Sequence, residues 1–283
     1  MKRFLIIALL IIAPVCANAE NLTHFIRDEV KKLDESTCGD GFSFAFMADS
    51  HQSTTVFENF IDVIDEMKPD FVVSSGDFTN DGKPEEYNQF ITQVTRIDVP
   101  WFTVPGNHEY RSPQGHTSPD GAKRYKRVFG TNDFLFDHCG WRFIGLDVVA
   151  YDMLLPSQLN RLEKALKGHE DHSVVFMHYP PKIIDHWEEG IFNSNAGWFM
   201  KLLEQYRVRY FFSGHIHVHD KVQIGPTTYI VTGGSGGGLD RGTTADKLNS
   251  PDAGPYYHFI YVRVKNDRAM DMVIRPNLPD ERR

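Results

Sequence analysis

From Phe42 onwards the chain alternates short apolar runs with stretches of helical spacing. Phe42–Ala48 is an apolar run of strand length, and Ser53–Met67 follows with Val56, Phe60, Val63, Ile64 and Met67 on one helical face. Phe71–Ser74 predicts a second strand. Glu85–Ile97 gathers Tyr87, Phe90, Ile91 and Val94 on one side and has Pro84 at its start, which predicts a helix. Trp101–Val104 predicts a third strand. The alternation then returns: strand at Trp141–Leu146, helix at Pro156–Lys167 with Gly168 as its stop, strand at Val174–Met177, helix at Ala196–Tyr206, strand at Val208–Phe212. Thr228–Val231, Tyr257–Val264 and Met270–Ile274 carry β patterning alone. Alternating β and α units with a β-rich tail predict an α/β sandwich of mixed sheets, whose ligands bind at the carboxyl ends of the strands.

Polar residues stand at those ends. Phe44–Ala48 runs into Asp49-Ser50-His51, Phe71–Ser75 into Gly76-Asp77, and Trp101–Val104 into Pro105-Gly106-Asn107-His108-Glu109. Val174–Met177 runs into His178, and Val208–Ser213 into Gly214-His215-Ile216-His217. Side chains two apart on extended backbone point the same way, so Asp49 and His51 are expected to converge on one ion, as are His215 and His217 if their segment is extended. Gly76, Gly106 and Gly214 are expected to let the backbone turn sharply beside the ions. Carboxylates, imidazoles and one amide oxygen form a borderline donor set, suited to zinc, iron or manganese more than calcium. Each block alone is commonplace; five in this order at five strand ends are not.

The blocks resemble the calcineurin-like metallophosphoesterases, whose pattern is Asp-x-His, Gly-Asp, Gly-Asn-His-(Asp/Glu), His and Gly-His-x-His. The run Gly76–Gly82 followed by Glu85-Glu86-Tyr87 is similar to the branch that contains class III cyclic-nucleotide phosphodiesterases. The resemblance implies an αββα sandwich of two mixed sheets flanked by helices, with two metal ions at one edge. It implies that Asp49, His51 and His217 hold one ion, that Asn107, His178 and His215 hold the other, and that Asp77 bridges them. His108 is then not a ligand but faces the leaving group. The implied reaction is hydrolysis of a phosphomonoester or phosphodiester by a metal-bridging hydroxide. Asn80 stands where purple acid phosphatases carry a tyrosine ligand, so no tyrosinate–iron site is expected; the family's carboxylate partner for His108 is also absent there, with Asp81 as a candidate substitute. The alternative is a catalytically silent binding protein on the same fold. His108 argues against it, because a pure metal binder has no need of a non-ligand histidine beside Asn107.

The N-terminus changes the expected location. Lys2 and Arg3 precede an unbroken apolar run, Phe4–Ala13, and Ala17-Asn18-Ala19 offers small residues for cleavage. Residues 1–19 therefore read as a signal peptide, leaving residues 20–283 as a single domain, exported to a periplasm or secreted. The alternatives are an uncleaved anchor or, through Cys16, a lipoprotein, although Val15 is poorly suited to lipoprotein processing. Loss of Lys2 and Arg3 takes the formal charge from −8 to −10. An acidic surface disfavours duplex nucleic acid as a partner but says nothing against a small phosphate ester. No apolar stretch long enough for an integral membrane helix follows the leader. Cys38 and Cys139 remain, paired or free.

Weaker features are Gly233–Gly238, read as a flexible loop rather than a phosphate cradle, and Arg111, a surface arginine within possible reach of a substrate phosphate. Lys182–Ala196 is a candidate specificity loop. His24, His116, His138, His169, His172, His219 and His258 receive no role.

Overall fold

The computed structural model describes residues 25–33, 38–39, 41–112, 114–182, 187, 194–243 and 247–276. The leader and most of the candidate specificity loop lie outside the described residues. Two mixed sheets form the centre. In the first, β1 (Phe42–Met47), β2 (Phe71–Ser74) and β3 (Trp101–Thr103) run parallel, and β10 (Phe259–Lys265) and β11 (Arg268–Ile274) continue from β1 as antiparallel neighbours. In the second, β5 (Trp141–Gly145), β6 (Ser173–Phe176), β7 (Tyr210–Ser213) and β9 (Thr227–Thr232) run parallel between antiparallel edges β4 (Phe134–His138) and β8 (His219–Ile224).

The apolar runs of β1, β2, β5, β6 and β7 become central strands because both of their faces are covered, and β3 closes the first sheet as a buried edge. On the inner face, Phe44, Phe46 and Phe71 meet Phe143, Phe176 and Phe212 across the two sheets, with ring centroids 4.7 Å apart for Phe46–Phe212 and 4.8 Å for Phe71–Phe143. Edge and tilted contacts of this kind fix the sheet–sheet register as well as burying area. On the outer face of the first sheet lie α2 (Val56–Met67) and α3 (Pro84–Val94), where Phe60 packs on Phe259 and Phe57 on Phe90 and Trp101. Over the second sheet lie α5 (Pro156–Leu166) and α6 (Ala196–Gln205), with Phe199 of α6 against Phe211 of β7. The fold class is the expected one: α/β, with two mixed sheets flanked by helices.

Four described elements were not expected from the pattern: α1 (Phe25–Val30), α4 (Pro119–Phe129), β4 and β8. Cys38 and Cys139 form a disulfide, Cα–Cα 5.2 Å, tying the segment before β1 to the turn between β4 and β5.

Candidate metal centre

The parallel strands β1, β2, β3, β6 and β7 end at one edge, and the polar blocks leave them there. The backbone then departs from what a strand would do. Asp49, His51, Asp77 and His215 all adopt positive φ, at 62°, 44°, 52° and 71°. Side chains in such turns no longer alternate by strand rules, and the cost of the conformation is carried by the packed sheets behind them. Period-two pairing of His215 with His217 therefore fails: His215 joins Asp77 and His178, whereas His217 joins Asp49 and His51. In each group the nitrogens and carboxylate oxygens lie within 4.8 Å of one another.

Glycine acts here mainly through closeness. Gly76 has φ 82°, and a Cβ on it would stand 2.1 Å from the Gly106 nitrogen; one on Gly106 would stand 2.2 Å from Asp77 Oδ1. Gly106 itself does not take positive φ, and neither does Gly214, so of the two reasons expected for glycine there it is close approach to Asp77 and Asp49 that applies.

Both carboxylates are oriented in the same manner. Asp49 Oδ2 accepts the His215 N–H at 3.0 Å, and Asp77 Oδ1 accepts the His108 N–H at 2.8 Å. The other oxygen of each faces imidazoles. Asp49 Oδ1 lies 3.4 Å from His217 Nε2 and 4.0 Å from His51 Nε2. Asp77 Oδ2 lies 3.3 Å from His178 Nε2, 3.7 Å from His51 Nε2 and 3.8 Å from His108 Nε2. Asn107 Oδ1 stands 3.0 Å from His178 Nε2. Carbonyls hold the far side of three rings: Ser75 O on His178 Nδ1 at 2.7 Å, Asn80 O on His108 Nδ1 at 2.6 Å, and Gly238 O on His217 Nδ1. An imidazole that donates through Nδ1 to a carbonyl presents an Nε2 lone pair inward, the arrangement common around metal-bound histidines.

The donor set fits two divalent ions. Asp49 Oδ1 and His51 Nε2 are buried, face one another and have no hydrogen-bond partner, a state that a cation relieves. Burial opposes charge on Asp77 and Asp49, but the facing imidazoles hold Asp77 far below the ordinary carboxylate range and Asp49 below it as well. Burial likewise opposes charge on His178 and His217, and is outweighed by Asp77 for the first and Asp49 for the second, which push each up to about 9. Burial and the neighbouring His178 push His215 down to about 4. A cation bound by His178 and His217 would compete with protons for the same nitrogens.

Glu109, quoted in the motif but given no role from sequence, is the main structural addition. It is fully buried and accepts from Asp77 N, Gly106 N, Thr79 N and Thr79 Oγ1 at 2.7–2.9 Å, joining the loops after β2 and β3. Burial and the Asp77 carboxylate push it up to about 7. Its place in Gly-Asn-His-Glu was the available signal. Asp81 does not partner His108; it bonds Lys83 Nζ at 2.7 Å, and the Asn80 carbonyl serves His108 instead. Distance alone does not separate His108 from the ligand candidates, since it is as near to Asp77 as His51 is. In Gly233–Gly238, read from sequence as a flexible loop, Gly237 packs against the site: its N–H donates to Asp49 O at 2.7 Å, and a Cβ on it would stand 2.5 Å from the His51 ring.

Residues 42–219 match the calcineurin-like phosphoesterase family. A probable glycerophosphodiester phosphodiesterase of Arcobacter nitrofigilis is 33% identical over 167 residues, a match that takes in 53% of this chain and 57% of that relative. A probable cyclic nucleotide phosphodiesterase of Xenorhabdus bovienii is 24% identical over 209 residues, 70% of this chain and 77% of the relative. Among solved structures, a purple acid phosphatase from yellow lupin superposes with a TM-score of 0.65 at 16% identity, over 83% of this chain and 51% of that one, a likeness of fold. The chain belongs to the calcineurin-like phosphoesterase family and is, at that level, a metal-dependent phosphoesterase.

Proposed function

We propose that this chain is an exported hydrolase of small phosphodiesters that works with two divalent ions of the manganese, iron or zinc kind. The observation that carries the reading is the pair of half-buried clusters with Asp77 between them and the partly exposed His108 beside them. Asp49, His51 and His217 would hold one ion, Asn107, His178 and His215 the other, and Asp77 both. Two divalent ions held there supply Lewis-acid charge to phosphoryl oxygens and activate water near neutral pH. Asp49 and Asp77 offset only part of that charge, so the cleft attracts a phosphate in spite of the acidic surface.

The protein's own groups do the rest. His108 is pinned through Nδ1 by Asn80 O, which leaves Nε2 free to hand a proton to the departing oxygen. Glu109 keeps Asp77 and Asn107 at a constant separation by bonding both loops, so the reacting groups are held in place before substrate arrives. The preference for diesters is supported by what the relatives are named for. With Mn²⁺ added, bis-p-nitrophenyl phosphate should be turned over faster than p-nitrophenyl phosphate. The reverse order would make the chain a monoesterase, and a protein loaded with metal yet inert on both would be the silent binding protein.

Export is supported by the basic start, the apolar run and the Ala-x-Ala site, and by the Cys38–Cys139 bridge, of a kind that persists in oxidising compartments. Mass spectrometry of the mature protein should find Glu20 at its N-terminus; retention of Met1 in exported material would count against cleavage.

A further inference from the structure

Asn107–Arg111 is a tight turn. Tyr110 N donates to Asn107 O at 3.2 Å and Arg111 N to His108 O at 3.4 Å. His108 and Arg111, three residues apart, therefore share a face, and both reach one acceptor. His108 Nδ1 lies 2.6 Å and Arg111 Nη1 3.0 Å from Asn80 O, so the two nitrogens are at most about 5.6 Å apart. The guanidinium thus stands beside the group that faces the leaving oxygen.

Its charge is incompletely matched. Among the described residues the one carboxylate near it is Asp81, at 3.8 Å, and Asp81 is half-exposed and bonded more closely to Lys83. Beyond Nη1, the guanidinium nitrogens make no hydrogen bond among the described residues, and the side chain is 32% exposed. A planar fork of donors with unmet charge suits a carboxylate or phosphate, which it can hold through two parallel bonds.

From this placement we infer that Arg111 determines specificity: it recognises an anionic group, carboxylate or phosphate, carried on the alcohol or phenol that leaves. The inference rests on the phosphoesterase reading above. If it holds, substrates whose leaving group bears a second negative charge are preferred over neutral ones of the same shape, and the preference weakens as salt is raised.

Two matched substrates test it: methyl 3-carboxyphenyl phosphate and methyl 3-carbamoylphenyl phosphate, alike in shape and differing by one charge. Arg111→Gln retains a donor for Asn80 O and removes the charge. It should lower kcat/KM for the carboxylate substrate about tenfold or more, chiefly through KM, and change the amide substrate by less than about threefold. An equal fall on both would show that Arg111 only holds the Asn80 carbonyl and so positions His108. No change on either would leave it a surface arginine. Both results overturn the inference while wild-type hydrolysis of bis-p-nitrophenyl phosphate still upholds the phosphoesterase reading; a wild type inert on that ester would bring down the underlying reading itself.

Discussion

Asp77→Ala is expected to empty both halves of the site and abolish hydrolysis. Among the described residues, Asp77 is the one carboxylate that stands with His178 and His215 and also with His51 and His108. Its Oδ2 lies 3.3 to 3.8 Å from three imidazole nitrogens, and its Oδ1 holds the His108 backbone. The backbone of Gly106 packs against it so closely that a Cβ there would stand 2.2 Å from Asp77 Oδ1. Loss of a group that only orients a ligand typically costs about 10–100-fold in metal affinity or activity, so loss of a shared ligand should exceed that. Elemental analysis should fall from about two metals per chain towards none, with turnover lost in parallel. Asp77→Asn, which keeps an acceptor for the His108 N–H, controls for disruption of the turn. A variant that lost one ion and kept near-normal turnover would show that Asp77 does not bridge.

His108→Ala should have the opposite signature, keeping metal while losing rate. Its side chain is partly exposed at the cleft, and its Nδ1 is committed to Asn80 O. A general acid of this kind is worth about two to four powers of ten in kcat, with a smaller change in KM. The loss should be larger for alkyl esters than for p-nitrophenyl esters, since a good leaving group needs little protonation. The nearness of His108 to Asp77 makes metal content the decisive measurement. Metal lost in proportion to activity would make His108 a ligand, and an equal loss for good and poor leaving groups would make it a phosphate-positioning residue.

Much of the frame was legible along the chain because its signals are local. Phe42–Met47, Phe71–Ser74 and Ser173–Phe176 are apolar at nearly every position, and α3 starts at Pro84 as its sequence indicates. The missed elements are those whose pattern is blurred by edges and surface. In β4, Leu135 is half exposed, so Phe134-Leu135-Phe136 looks like a continuous run although burial alternates. β8 is a polar edge with only its first two residues buried. α4 buries Gly121, Tyr125 and Phe129 among charged neighbours, and its clearest marks were its ends: the Ser118 cap with Pro119 after it, and Gly130 at φ 83°.

The sequence by itself determined the strand order's raw material and the identity of the polar residues at the strand ends, because apolar run length and turn chemistry act over a few neighbours. It did not determine how those residues group. Asp49 meets His217, and Asp77 meets His178, across 168 and 101 positions of chain, and only the packing of one sheet on the other brings them within ion-binding distance. The same holds for the positive φ of His215, which sends it away from His217, and for Glu109, whose partners lie on a neighbouring loop. Local patterning cannot encode such contacts, since each depends on where a distant strand ends in space, and that is decided by the aromatic core between the two sheets.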